Sequence, residues 1–349
     1  MHDNNYLPIF ELRRGDAVES IHFGAFAVVN SLGKLVASYG NPDTTSFLRS
    51  SAKPFQALPF IESGGHKQWG LSGPEISIMC ASHTGTDKHF KVLTNIQSKI
   101  KVTQDDLLCG VHPPVDAAAR QALLDRGESP TPNRHNCSGK HTGMLAHAKF
   151  IHTPIEDYID IDHPIQKRIL ATFSEMCDVE IQKIALGIDG CSAPVFAIPL
   201  KNAALGYARL CDPHDLTPER ETACRTITAA MMSYPDMVAG PGKFDTRLME
   251  VAKGKIISKG GAEGYQQVGI LPGVLGPDSP GLGIALKISD GDARSRARPA
   301  VILEILRQLG AITESEMEEL SEFGPKFPLK NWREIIVGEA YPTFKLKAD

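Results

Sequence analysis

The way hydrophobic period changes along the chain constrains its fold more than any single motif. His22–Asn30 is rich in Phe and Val, an Asn-Ser-Leu-Gly turn follows, and Lys34–Tyr39 completes a β-hairpin. Far downstream, Ile256–Lys259, Tyr265–Leu271 and Leu282–Ile288 are strand-like runs separated by glycine-rich turns. Between these ends the period is helical. The order predicts a sheet assembled from both ends of the chain, with a helical block inserted between non-local strands. Residues 1–349 then form one unit, in which 1–49 and 184–349 are a discontinuous sheet-containing part and 50–183 are mainly helical.

Local signals set the helices of the middle. Ala52–Glu62 carries an apolar pattern and stops at Ser63-Gly64-Gly65. Pro54 suits a first helical turn, where its missing N–H has no partner to lose, whereas Pro59 removes an internal bond and predicts a kink. Gly73–Cys80 is a short apolar helix leading into a Ser-His-Thr-Gly turn at Ser82. Thr86 caps a helix with Phe90, Leu93 and Ile96 on one face. Short helices are expected at Gln104–Leu108 and Asp116–Leu124. The polar loop Asn133–Ser138 launches another to Phe150, on which Gly139 and Gly143, four apart, invite close approach of a second backbone. His163–Cys177, Asn202–Cys211, Thr217–Met232 and Pro299–Leu309 follow as helices. Apolar stretches at Ile184–Leu186 and Val195–Leu200 flank a tight loop at Gly187–Ser192, and Trp332–Val337 is short and apolar.

Composition narrows the function classes. A chain of 349 residues with 42% apolar and 22% charged residues and a net charge of -4 is globular, with no basic footprint for nucleic acid. No run of like charge suggests a membrane surface, no stretch approaches a spanning length, and the first thirty residues lack a basic start followed by an apolar core. The cytoplasm is the expected compartment. Seven scattered cysteines, an odd number, argue against a disulfide framework. Twelve dispersed histidines form no H-E-x-x-H, and no G-x-x-x-x-G-K-[ST] appears.

The chemistry-bearing stretch is Ser50-Ser51-Ala52-Lys53. Residues three apart share a helix face, so a hydroxyl and an amine can meet there. A hydroxyl needs a neighbouring base, and a desolvated neutral lysine can be one. Alone, the pattern reads equally as an N-cap serine before a solvated lysine. Cys137 and Lys140 are also three apart, and Cys191 sits in a Gly-Asp-Gly-Cys loop. Without a C-x-x-C pair their spacing favours buried structural cysteines over a metal site.

Five segments change the balance when taken together. Arg49-Ser50-Ser51-Ala52-Lys53-Pro54, Ala81-Ser82-His83-Thr84-Gly85, Asn136-Cys137-Ser138-Gly139-Lys140-His141, Gly187-Ile188-Asp189-Gly190-Cys191 and Lys259-Gly260-Gly261-Ala262-Glu263-Gly264 resemble, in this order, the rhizobial-type L-asparaginases. That family is similar in fold to serine β-lactamases, penicillin-binding proteins and serine glutaminases. The resemblance therefore implies an α/β (α+β) fold, an antiparallel sheet flanked by helices. Lys-Gly-Gly stands here in place of Lys-Thr-Gly, and Ser-His-Thr in place of Ser-x-Asn, which counts against β-lactam substrates.

The resemblance implies hydrolysis of L-asparagine by two Ser–Lys pairs, Ser50 with Lys53 and Ser82 with Lys259. Ser50 is the expected nucleophile and Ser82 the alternative. It further implies a Zn²⁺ held by Cys137, Lys140 and Cys191, and a homodimer; Asp189 and His141, beside those residues in sequence, are suited to support the metal's ligands or to orient the substrate. Arg49, beside the nucleophile, is suited to fork onto the substrate α-carboxylate. Two other readings remain open: another serine acyl transferase, such as a glutaminase or a penicillin-binding-type peptidase, and a non-catalytic amino-acid-binding module.

Overall fold

The computed structural model describes residues 5–346. Its contacts divide the chain into a sheet unit, from Met1–Leu48, Ala197–Asp212 and Val251–Asp349, and a helical unit, from Arg49–Phe196 and Pro213–Glu250. The sheet is built from both ends of the chain with the helical block inserted, as the sequence order implies. Residues 184–196 and 213–250, grouped above with the sheet part, fall in the helical unit. The reason is local: the Pro218–Ser233 helix packs on the Lys53–Glu62 helix, and the 189–193 loop is tied to Arg49.

In the sheet unit, eight antiparallel strands form one mixed-order sheet. Phe327–Lys330, Ile336–Pro342, Leu7–Arg14, Ala17–Asn30, Leu282–Ile288, Tyr265–Ile270 and Ile256–Gly260 are neighbours in that order, and Leu35–Tyr39 also pairs with Ala17–Asn30. The expected hairpin is present; Leu7–Arg14 and the 327–342 hairpin extend the sheet beyond it. Gly269 faces Gly283 across two central strands. A Cβ at Gly283 would lie 1.8 Å from Ala204 O, and one at Gly269 would lie 2.4 Å from Cys211 Sγ. This bare pair lets the Leu200–Cys211 helix lie directly on the strands. Lys259, on the last strand opposite Gln267, is 1% exposed and donates to Gly260 O at 2.7 Å.

In the helical unit, the Lys53–Glu62 helix is buried from Lys53 through Ile61 and packs on the helices Ser138–Phe150, Pro164–Cys177 and Pro218–Ser233. It runs through Pro59, which the sequence reading expected to disturb it. A proline in a helix interior costs about 3 kcal/mol, and burying Phe55, Leu58, Phe60 and Ile61 at roughly 1.5–3 kcal/mol each outweighs that. Gly139 meets the Gly73–Met79 helix at backbone distance, since a Cβ there would lie 2.0 Å from Ile78 O. That contact seats the start of the Ser138–Phe150 helix beside the turn that follows Met79.

Candidate active site

The helical unit gathers most of the chemistry-bearing residues. A 3₁₀ turn, Arg49–Ala52, leads into the Lys53–Glu62 helix. Arg49 has φ 51°, a left-handed conformation that costs a non-glycine residue of order 1 kcal/mol or more. Its guanidinium reaches Asp189 Oδ1 through Nε at 2.9 Å and Nη2 at 2.8 Å. The Gly190 N–H donates to the same oxygen at 2.8 Å. Three donors converge on Oδ1, and Oδ2 accepts no hydrogen bond among the described residues. Asp189 N–H to Ala193 O (2.9 Å) and Ser192 N–H to Asp189 O (2.8 Å) close the loop that carries Asp189 and Cys191.

One turn after Arg49, the Lys53 amine is 1% exposed and donates to Ser82 Oγ at 2.9 Å and to Ala81 O. Ser82 is set by its own N–H donating to Val238 O at 2.8 Å, and the next N–H, of His83, donates to Asn136 O at 3.2 Å. Lys53 and Ser82 are thus brought together. Ser50 is half-buried, and its hydroxyl makes no hydrogen bond among the described residues, so the structure does not bond it to Lys53.

The second cluster lies at the start of the Ser138–Phe150 helix. Lys140 Nζ donates to Cys191 Sγ at 2.8 Å. Cys191 first, then Lys53, His135 and Lys140, hold the buried Cys137 thiol well below its usual range. Cys191 moves the opposite way, raised by Cys137 and by burial. Burial opposes the charge on Lys140, but Cys191 and Cys137 outweigh it and raise the amine. Among the described residues no three His, Cys, Asp or Glu side chains converge as a metal cluster; the two sulfurs here are joined by a lysine.

Three residues without an expected role complete the site. Tyr158 is fully buried, accepts the Leu108 N–H at 2.8 Å, and lies 2.6 Å from His141 Nδ1. His83 accepts the Gly85 N–H on Nδ1 at 3.1 Å and so carries its proton on Nε2, 2.9 Å from Ser138 Oγ. His135 Nδ1 accepts the Cys137 N–H at 3.0 Å. Burial first, then His89 and Lys53, hold His83 well below the usual imidazole value; burial and Lys140 do the same for His141. His83 and His135 stand inside or beside motifs already visible. Tyr158 has no such signal, being 17 residues from His141 and 50 from Leu108. A cavity of about 550 Å³ lies alongside, lined by Leu108, Asp157, Ile159, Leu186, Ile188 and Ser192.

A buried amine on a serine, an arginine–aspartate pair and a sulfur–amine cluster suit acyl transfer on a small zwitterion. The family model described as L-asparaginase II matches residues 10–342. A comparison with curated proteins finds no match. Among solved structures, a Bacillus glutaminase crystallised in the presence of 4.3 M NaCl is similar at 11% identity and TM-score 0.39, over 82% of this chain and 91% of that one. A probable glutaminase from Bacillus subtilis complexed with 6-diazo-5-oxo-L-norleucine is similar at 11% identity and TM-score 0.40, over 82% of this chain and 84% of that one. The match to the family model, over nearly the whole length, means that the chain belongs to the L-asparaginase II family and is an amidohydrolase.

Proposed function

We propose that the chain hydrolyses L-asparagine to L-aspartate and ammonia through a serine ester. The observation that carries this reading is the buried Lys53 amine, 2.9 Å from Ser82 Oγ and three residues beyond Ser50. Ser50 attacks the side-chain amide carbon and Lys53, in its neutral form, takes the hydroxyl proton. The C–N bond then breaks, and the proton passes to the leaving ammonia with Ser82 and Lys259 as its relay. Water hydrolyses the β-aspartyl ester by the reverse path. Backbone N–H groups of the Arg49–Ala52 turn support the oxyanion. Arg49 takes the substrate α-carboxylate, and the open Oδ2 of Asp189 takes its α-ammonium.

The donor set of Cys137, Lys140 and Cys191 fits a zinc ion. Two buried free thiols and an amine are the soft and nitrogen donors that zinc prefers, and the amine lies 2.8 Å from one of the sulfurs. Bound there, zinc would supply a Lewis-acidic contact that fixes the substrate. Because Lys140 must lose its proton to become a ligand, affinity rises with pH. The resemblance also supports a homodimer in the cytoplasm.

A second reading follows from the same 2.9 Å bond: Ser82 as nucleophile, with Lys53 as its base. Ammonia release from asparagine, glutamine and a chromogenic β-lactam, measured on Ser50→Ala and Ser82→Ala, separates the possibilities. Asparagine is the expected substrate, with a loss of about 10⁴-fold or more in Ser50→Ala. Activity retained in that variant but lost in Ser82→Ala transfers the nucleophile to Ser82. Stoichiometric asparagine binding without ammonia release overturns the enzymatic reading.

A further inference from the structure

Tyr158 is fully buried in a turn, and its hydroxyl has two partners among the described residues. The Leu108 N–H donates to the phenolic oxygen at 2.8 Å, and His141 Nδ1 lies 2.6 Å away. Leu108 brings its own hydrogen, so the phenol's hydrogen has one acceptor, the Nδ1 lone pair. The ring proton of His141 therefore sits on Nε2. That nitrogen is buried and has no partner among the described residues. A buried N–H without an acceptor is costly and rare, and it marks where something from outside the protein completes the bond.

We propose that Tyr158 is a positioning residue that locks His141 as its Nε2–H tautomer, so that this ring donates to an oxygen of the bound amino-acid amide. The inference rests on the asparaginase reading for the identity of that oxygen and on the hydrogen bonds alone for the lock. His141 directly follows Lys140 on the Ser138–Phe150 helix, and its ring lies within the electrostatic reach of Lys140 and Cys137. Asp157 and Ile159, on either side of Tyr158, line the 550 Å³ cavity together with Leu108. One short stretch thus walls the approach with its outer residues and holds the histidine with the inner one. In this arrangement the orienting histidine is a donor before substrate arrives, and binding need not select a tautomer.

Long-range proton–nitrogen spectra of the full chain labelled with ¹⁵N-histidine read the tautomer directly, with the His141 signals assigned by their loss in His141→Gln. Wild-type His141 is expected to carry its proton on Nε2 alone, and the product L-aspartate to shift that proton's resonance. In Tyr158→Phe both tautomers are expected, with KM for asparagine up about tenfold and kcat within about threefold. The amide of Gln reproduces the Nε2 donor and needs no lock, so adding Tyr158→Phe to His141→Gln should change KM less than about twofold. A wild-type ring protonated on Nδ1, an unchanged tautomer in Tyr158→Phe, or an Nε2 proton blind to aspartate overturns the proposal. An intact lock without ammonia release from asparagine overturns the asparaginase reading alone. Ammonia release with an Nδ1–H ring overturns the lock alone.

Discussion

Two buried lysines of the helical unit stand in the same relation to the chain and in opposite chemical settings. Lys53 and Lys140 each follow a candidate reactive residue by three positions, Ser50 and Cys137, and each enters at the first turn of a helix. Among the described residues Lys53 is hydrogen-bonded only to neutral oxygens, those of Ser82 and Ala81. Lys140 lies against sulfur, with Cys191 and then Cys137 raising its hold on its proton. The same spacing therefore yields two devices. An amine on a hydroxyl is placed to exchange protons, whereas an amine against sulfur holds its proton more firmly.

That contrast is broken most severely at Lys53. Lys53→Met is expected to lower kcat by about 10⁴-fold with KM for asparagine little changed, as befits removal of a general base from a covalent mechanism. Steady-state kinetics check it, and a variant that keeps most of its kcat would make Lys53 a structural amine.

A third buried nitrogen group sharpens the comparison by lacking any partner. Both ring nitrogens of His147 are buried without hydrogen bonds among the described residues, and burial, aided by Arg168, lowers its pKa to about 4. The unfolded chain takes up this proton near the ordinary value of about 6.5, whereas the folded chain does so only near 4. Stability is therefore full above about 6.5 and falls as pH drops toward 4, by about 3 kcal/mol in all. Denaturant unfolding at a series of pH values should show this slope, and His147→Leu should flatten it.

The mildest effect belongs to Lys140. Lys140→Met, or chelation of the wild type, is expected to raise KM by about 10- to 100-fold and to move kcat far less, if the proposed zinc there fixes substrate. A large fall in kcat at constant KM would erase the distinction between the two lysines.

Much of this was legible from residue order. The sheet drawn from both chain ends, the Thr86 and Gly73 helix starts, and the close approach at Gly139 all follow from local chemistry that the structure retains. Leu7–Arg14 and the 327–342 hairpin were not legible: in the first, the adjacent buried pair Ile9 and Phe10 breaks the alternation, and the hairpin strands are mostly half-buried or exposed. Trp332, at the head of an apolar run, is fully exposed at the hairpin turn. The Lys53–Glu62 helix was legible despite Pro59, because propensity is a local quantity and the burial that outweighs it is tertiary. Within the site, the motif residues were found through the resemblance of five ordered segments to a known family, since spacing alone favoured ordinary structural roles. Their partners were not, since the bonds Lys53–Ser82, Arg49–Asp189 and His141–Tyr158 join positions 29, 140 and 17 apart. The expected Ser50–Lys53 pair came from the three-residue spacing and the family resemblance; the structure adds the bond from the Lys53 amine to Ser82 Oγ.

The most direct measurement is peptide mapping by mass spectrometry after reaction with the diazo-ketone analogue of asparagine, which leaves a covalent mark on the attacking atom. A single adduct on the peptide carrying Ser50, lost in Lys53→Met and retained in Lys140→Met, is the expected result. An adduct on Ser82 or on a cysteine, or labelling indifferent to Lys53, would contradict a hydroxyl nucleophile at Ser50 served by the buried Lys53 amine.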